Sequence, residues 1–231
     1  MSLPAPDTNN IIDLLPKNLS AANEKNRKQF RFLALFYDPA MRYFIRSRIH
    51  KANPVQHHRI WQELIGSVHK ARILDLACGT GGLIACMAED NDYTGLDLSY
   101  QMLKKAAGRA RKKGFAGYRL VRANAETRVL SDESFDLVAV DTALHMIPDW
   151  QGTIRAAAQG LTRQGVLTAA VPVLGIDKEF DKVWRKYAHG SQFHGLTGDD
   201  LQQACSANNL DFSCVDTNGG MLYFRAQKKE E

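Results

Sequence analysis

The chain has 231 residues, 45% of them apolar and 24% charged, with a formal net charge of +5. That length supports one substantial core, and the composition is that of a globular protein, which excludes a fibrous or disordered chain. No stretch approaches the roughly 18 consecutive apolar residues of a membrane helix, and Met1 to Leu15 has neither a basic nor an apolar leader region, so a cytoplasmic protein without a signal peptide is expected.

Taken in order, residues 3–19 read as a loose or partly helical arm. Helices are predicted over 21–36 and 38–50, punctuated by Asp38-Pro39, and over 54–68. A strand at 71–76 leads to a helix at 82–89. A strand at 92–96 and a helix at 100–113 follow, with Ser99 as N-cap and Gly114 as terminator. Strands at 118–122 and 135–140, a helix at 150–161 and a strand at 165–171 continue the alternation. Helices at 177–187 and 197–208 come next, the second opened by a Thr197/Asp200 capping-box variant. Strands at 210–216 and 221–227 close a hairpin around Asn218-Gly219. This is an α/β pattern with seven strands, the doubly wound type. A helical extension over 1–60 and a main domain over 61–231 are the expected division.

The most informative stretch is Ile73-Leu-Asp-Leu-Ala-Cys-Gly-Thr-Gly-Gly82. An apolar run ends in Asp75, then Ala77, Cys78, Gly79 and Gly81 make a tight turn before a new apolar segment. Asp75 thus stands at the carboxyl end of a strand, where open α/β sheets bind ligands. Phosphate-binding loops fit poorly. The dinucleotide fingerprint needs a small residue where Ile84 stands, and a P-loop needs a Gly-Lys-Ser/Thr ending. No lysine or arginine lies in the turn to meet a phosphate. A second short strand ends in Asp97, placed either to accept ribose hydroxyls or to complement the dipole of the next helix.

These residues resemble the first motif of class I S-adenosylmethionine-dependent methyltransferases, with Ala77 where glycine is usual. Three later segments occur in the family's order, so the resemblance covers about residues 60–227. It implies a seven-stranded, mostly parallel Rossmann-like sheet whose last strand is antiparallel, and S-adenosyl-L-methionine as cofactor. Asp97, with Leu98 and Met102 beside it, is implied to hold the ribose. Asn124-Ala125 stands where the family carries Asp-Ala against adenine; an amide can still accept and donate there, or Asn124 is simply a turn residue. Asp141 and Thr142 end the fourth strand of the resemblance, and His145 follows one turn later, where the family brings methyl group and acceptor together.

Upstream, Phe36-Tyr37-Asp38 resembles the Tyr-Asp pair found before the first motif in many small-molecule and lipid methyltransferases, including those acting on quinone precursors. That makes Tyr37 a candidate cover for the methionine end of the cofactor, against an ordinary half-buried aromatic. The surrounding residues interleave Arg27, Lys28, Arg31, Arg42, Arg46, Arg48 and Lys51 with Phe30, Phe32, Phe36, Met41, Tyr43 and Phe44. Such a segment suits a lid over the cofactor, contact with an anionic membrane surface, or nucleic acid. The basic face of helix 100–113, with Arg109, reads as solvated.

His57 and His58, adjacent on a helix, point apart and make a poor metal pair; no metal site is expected. His194 falls in the loop Ala188-His-Gly-Ser-Gln-Phe-His-Gly195, in the variable region that shapes acceptor pockets in the family. Phe180, Trp184, Tyr187 and Phe193 line such a pocket or are plain core. The four cysteines, Cys78, Cys86, Cys205 and Cys214, lack ligand spacing and read as reduced thiols.

The resemblance implies in-line methyl transfer to a small-molecule or lipid acceptor, with Asp141, His145 or His194 as candidate proton acceptors. A nucleic-acid substrate is disfavoured because the Asn/Asp-Pro-Pro-Tyr/Phe signature is absent after strand four. A non-catalytic relative acting as a partner protein is the other alternative.

Overall fold

A computed structural model describes residues 3–33, 37–115, 117–128, 130, 134–189 and 193–229. Phe36, at the end of the first expected helix, and residues 190–192 of the loop before His194 lie outside the described residues.

Eight strands form one sheet in the order β1-β4-β3-β2-β5-β6-β8-β7. They are β1 (Ile11–Asp13), β2 (Arg72–Leu76), β3 (Asp92–Asp97), β4 (Tyr118–Arg122), β5 (Phe135–Asp141), β6 (Leu161–Pro172), β7 (Leu210–Asn218) and β8 (Met221–Lys228). The first six run parallel, while β8 is antiparallel to both β6 and β7. The order reverses beside β2, and the C-terminal tips of β2, β3 and β5 open there into the crevice where α/β sheets bind ligands.

The sheet has one strand more than the seven expected. Ile11 and Ile12, assigned to a loose arm, are buried and pair with β4. The arm therefore caps an edge that the main domain would leave open. Helix α3 (Pro54–Ile65) spans residue 60.

The segment expected as helix 82–89 is a short 3-10 turn, Gly82–Cys86. Asn91 explains the early stop. Its buried amide accepts from Ala71 N at 2.9 Å and donates to Val68 O at 2.7 Å and Ala88 O at 3.0 Å, fixing a turn where a helix would continue.

Side-chain alternation sorts the core into two layers. Leu74, Val138 and Val140 face helices α5 (Trp150–Gly160) and α7 (Gly198–Ser206), in one cluster with Ile154, Ala157 and Leu201. Ile73, Leu137 and Ala139 face α3 and α4 (Tyr100–Lys113), in the other with Ile60, Trp61, Leu103 and Ala106. Burial on both faces is why the central strands read as nearly unbroken apolar runs. Ser99 caps α4 by accepting from Met102 N, and Thr197 and Asp200 form a reciprocal capping box on α7.

The N-terminal residues cross the carboxyl-end crevice. Helix α1 (Ala21–Leu33) is followed by a single turn, α2 (Tyr37–Pro39), that runs into a π-helical segment, Ala40–Ile49. The hairpin tip between β7 and β8 supports it from below. A side chain at Gly219 would strike Lys51 O at 2.3 Å, and one at Gly220 would strike the Phe180 ring at 2.1 Å. Helix α6 (Lys178–Tyr187) completes this end of the molecule.

Candidate functional site

The loop after β2 is wound through left-handed backbone. Ala77, Gly79 and Gly81 have φ of 54°, 54° and 77°. Gly81 is needed for packing, because a Cβ there would lie 2.6 Å from Ile84 Cδ1 and 3.2 Å from Ala106. Ala77 holds a conformation that costs a residue with a Cβ about 1–2 kcal/mol. Thr142, just after β5, has φ of 55° and is strained for the same reason. Such outliers accumulate where a fold is shaped for a ligand.

Two carboxyls stand at neighbouring tips. Asp75 is 1% exposed and accepts from Tyr93 Oη at 3.0 Å. Burial raises its pKa to about 8, against the Tyr93 hydrogen bond. Asp97 takes one backbone donor on each oxygen, Gly79 N at 2.9 Å and Ser99 N at 2.8 Å. Burial lifts it to about 6 despite those two bonds. Each Asp97 oxygen keeps a lone pair for a further donor, which suits a vicinal diol.

Two cavities meet at Tyr37, Ala77, Gly79, Asp141 and Thr142, which line both. The smaller, about 70 Å³, is bounded by Asp97, Leu98, Met102, Asn124, Ala125 and Met146. Helix α1 covers it with two buried asparagines. Asn23 Nδ2 donates to Glu126 Oε2 at 2.7 Å, and Asn26 Nδ2 donates to Met146 O at 2.9 Å. Asn124 lines this cavity and is also a turn residue, since its Oδ1 accepts from Glu126 N at 3.1 Å. The larger cavity, about 460 Å³, reaches from Asp75 and Cys78 to Met41, Arg46, His57 and Trp61.

Tyr37 is carried into the junction by a latch. Asp38 accepts from Thr80 Oγ1 at 2.6 Å and from Arg109 at 2.7 Å, and Arg109 also donates to Thr80 at 2.9 Å. Arg109 is thus tied to the crevice rather than solvated alone, a correction to the reading of the α4 basic face.

Asp141 is the best-supplied acid of the site. Oδ1 accepts from Trp61 Nε1 at 3.2 Å and Thr142 Oγ1 at 2.7 Å, and Oδ2 accepts from His57 Nε2 at 3.3 Å. Burial would raise this carboxyl, but His57, Arg46 and Thr142 outweigh it and hold it below the ordinary range. A carboxylate so held takes up no proton near neutral pH. Burial, over the opposing pull of Asp141, keeps His57 below the usual histidine value. Its neutral ring accepts from Tyr223 Oη on Nδ1 at 2.7 Å and donates to Asp141 through Nε2.

Of the residues singled out from sequence, Tyr37, Asp75, Ala77, Cys78, Gly79, Asp97, Leu98, Met102, Asn124, Ala125, Asp141 and Thr142 line one or both cavities. Gly81, in the same loop, lines neither cavity. The structure does not bring His145 or His194 to either cavity. His145, on the turn Leu144–Met146, is 3% exposed and packs its ring against His50 at 5.9 Å and Trp184 at 5.4 Å. Burial, with His50 and His194 nearby, drives its pKa well below the ordinary value. His194 is half-buried in the same cluster and donates its backbone N–H to His145 O at 2.8 Å. Conversely, His57, which the sequence offers only as half of a poor metal pair with His58, lines the larger cavity. The i, i+4 spacing of His57 and Trp61 was the signal that both share one helix face. Among the described residues, no group of three or more His, Cys, Asp or Glu side chains is placed to hold a metal ion.

A parallel sheet opened at β2, a glycine-rich loop after it and an acid at the tip of the next strand define a Rossmann-like, nucleoside-binding α/β protein. The comparisons narrow this. Residues 67–226 match the methyltransferase domain family, and the chain belongs to it, among the class I S-adenosylmethionine-dependent methyltransferases. The ubiquinone/menaquinone biosynthesis C-methyltransferase UbiE of Rhizobium meliloti is 30% identical over 181 residues, covering 72% of this chain and 69% of that one. The trans-aconitate 2-methyltransferase of Streptomyces avermitilis is 30% identical over 175 residues, covering 72% and 61%. The fold is shared with magnesium protoporphyrin IX methyltransferase from Synechocystis PCC 6803 bound to S-adenosylhomocysteine, at a TM-score of 0.68, 15% identity and coverage of 90% and 100%. The matches span about 62%, 55% and 61% of the length of the first three curated relatives.

Proposed function

We propose that this chain transfers the methyl group of S-adenosylmethionine to a small acceptor, aromatic or lipid-like, held in the larger cavity. The observation that carries this reading is the pair Asp75 and Asp97 at adjacent strand tips, flanking a left-handed loop without a cation. That arrangement suits the ammonium and hydroxyls of a sulfonium nucleoside and repels a pyrophosphate. Asp97 would take the ribose, the cavity under Asn23 and Asn26 the adenine, and Asp75 the ammonium group. The bound cofactor supplies an electrophilic methyl group on sulfur.

The protein's own part is alignment and exclusion of water. Tyr37 separates the two cavities and covers their junction. Asp141, kept ionised, sets a fixed negative charge there. The apolar wall of Met41 and Trp61 favours a planar or lipid-like acceptor, and the quinone-pathway relatives agree with that class. Tyr43, Phe44 and Val55, 70%, 55% and 74% exposed, lie along the same segments that line the cavity. They suit contact with a membrane surface that carries a lipid acceptor.

Calorimetric titration with S-adenosylhomocysteine beside NADH tests the reading. Binding of the first and none of the second is expected, followed by release of labelled methyl product from a panel of quinone precursors and phenols. Binding of NADH, or no binding of S-adenosylhomocysteine, would sink it.

A further inference from the structure

Among the described residues, Arg46 of the π-helical segment is the one arginine or lysine that lines the larger cavity, and it is poorly served. Its side chain is 14% exposed. Among the described residues the guanidinium makes no hydrogen bond, and Nε is buried without a partner. Its charged neighbour is Asp141 Oδ2, at 3.6 Å. That is an ion contact, well beyond the roughly 2.7–2.9 Å of a charge-assisted hydrogen bond.

Oδ1 of Asp141 is taken by Trp61 and Thr142, while Oδ2 accepts one long bond from His57 and meets Arg46 only at ion-contact distance. A guanidinium presents five N–H donors in a flat fork, and buried donors are nearly always used. Among the described residues this fork has no oxyanion at hydrogen-bond distance. The wall it shares with Met41, His57 and Trp61 is made by the π-helical segment and α3, beside Asp141 at the tip of β5.

We propose that Arg46 receives an anionic oxygen of the acceptor, so that the substrates of this chain are acids: carboxylates, or ionised phenols and enols. The inference rests on the methyl-transfer reading for the identity of the cavity. An acceptor that arrives as an anion brings its own electron pair, so the site needs no base. The surroundings agree, since the Asp141 carboxylate is hydrogen-bonded and held below the ordinary range, a weak base, and both nitrogens of His57 are engaged. Arg46 is a specificity-determining residue in this scheme.

The test uses the full chain saturated with S-adenosylhomocysteine and four probes. Benzoate is paired with benzamide, and ionised 4-nitrophenol with nitrobenzene. Each charged probe should bind at least tenfold more tightly than its uncharged twin, and the pair with the larger ratio tells a carboxylate from a phenolate acceptor. Arg46→Gln should erase that ratio, and Arg46→Lys should keep part of it. S-adenosylhomocysteine affinity should stay within about twofold in both variants, which also reports that they fold. No preference for either anion, or a preference that survives in Arg46→Gln, overturns the proposal. A tenfold loss of S-adenosylhomocysteine affinity in Arg46→Gln, with an unchanged melting temperature, also overturns it, because the oxyanion is then the cofactor's own carboxylate. Failure of the wild-type chain to bind S-adenosylhomocysteine would instead remove the underlying methyl-transfer reading.

Discussion

The two cavities that meet at Tyr37 are built by different means. The smaller is made by strand tips and backbone. Asp97 is fixed by two main-chain N–H groups, and Leu98, Asn124 and Ala125 follow directly from β3 and β4. The larger is made by side chains from the π-helical segment and α3, with Met41, Arg46, His57 and Trp61 reaching toward the tip of β5. These four lie upstream of residues 67–226, the stretch that carries the family match. On the proposed reading the smaller is the nucleoside side and the larger the acceptor side; the first is lined mainly from within that stretch, and the second draws more on the segments before it.

Substitutions should separate the two. The largest effect is expected at the shared residue Asp141. Asp141→Ala would orphan the donors of His57, Trp61 and Thr142 and leave Arg46 buried without a counter-charge. A loss of about 3–5 kcal/mol in stability is expected, read by urea denaturation. If the loss stays under 1 kcal/mol, Asp141 is not the hub that joins the two sides.

Asp97→Ala should weaken S-adenosylhomocysteine binding by about 1.5–3 kcal/mol, as for lost hydrogen bonds to a charged group, with little change in anion-probe binding. Unchanged affinity would remove the ribose assignment. The reverse pattern is expected from Trp61→Phe, which deletes one donor to Asp141 while keeping the apolar wall. Its cost, about 0.5–1.5 kcal/mol of stability, should leave cofactor affinity nearly intact.

Asp75, on the wall of the larger cavity, gives the site a pH signature. Its folded pKa of about 8 lies above the ordinary 3.8, so the folded ligand-free protein holds the proton more tightly than the unfolded chain. The contribution is full below 3.8 and is lost as pH rises toward 8. Melting temperature should fall over that window, and Asp75→Asn should flatten the slope. A bound ammonium group favours the ionised carboxyl, so binding should release protons near pH 7, visible as calorimetric heats that depend on the buffer. The smallest effect is expected at the loop itself. Ala77→Gly should raise stability by up to about 1 kcal/mol, because relief of the left-handed strain is partly offset by the unfolded-state entropy of glycine.

The nucleoside side was legible in the sequence because its residues are local to strand ends. An apolar run that stops at an acid predicts both the strand and the tip, as at Asp75 and Asp97. The acceptor side was legible only as a basic, aromatic segment. His57 reads in the sequence only as the neighbour of His58, since its partners Asp141 and Tyr223 are distant in the chain. His145 drew attention by its place after β5, yet its ring turns into the cluster with His50 and Trp184. The N-terminal arm gave too short a pattern, three residues, to read as a strand without its partner β4.

By itself the sequence determined the α/β alternation, the glycine-rich loop, the acids at two strand tips and the capped helices. All of these rest on neighbouring residues or on strict periodicity. Only the tertiary structure decided the eighth strand, the Asp38–Thr80–Arg109 latch, the donor shell of Asp141 and the loose ion contact of Arg46 with it. Each of those is set by contacts between segments far apart in the chain, and no local pattern encodes which buried polar group will find a partner.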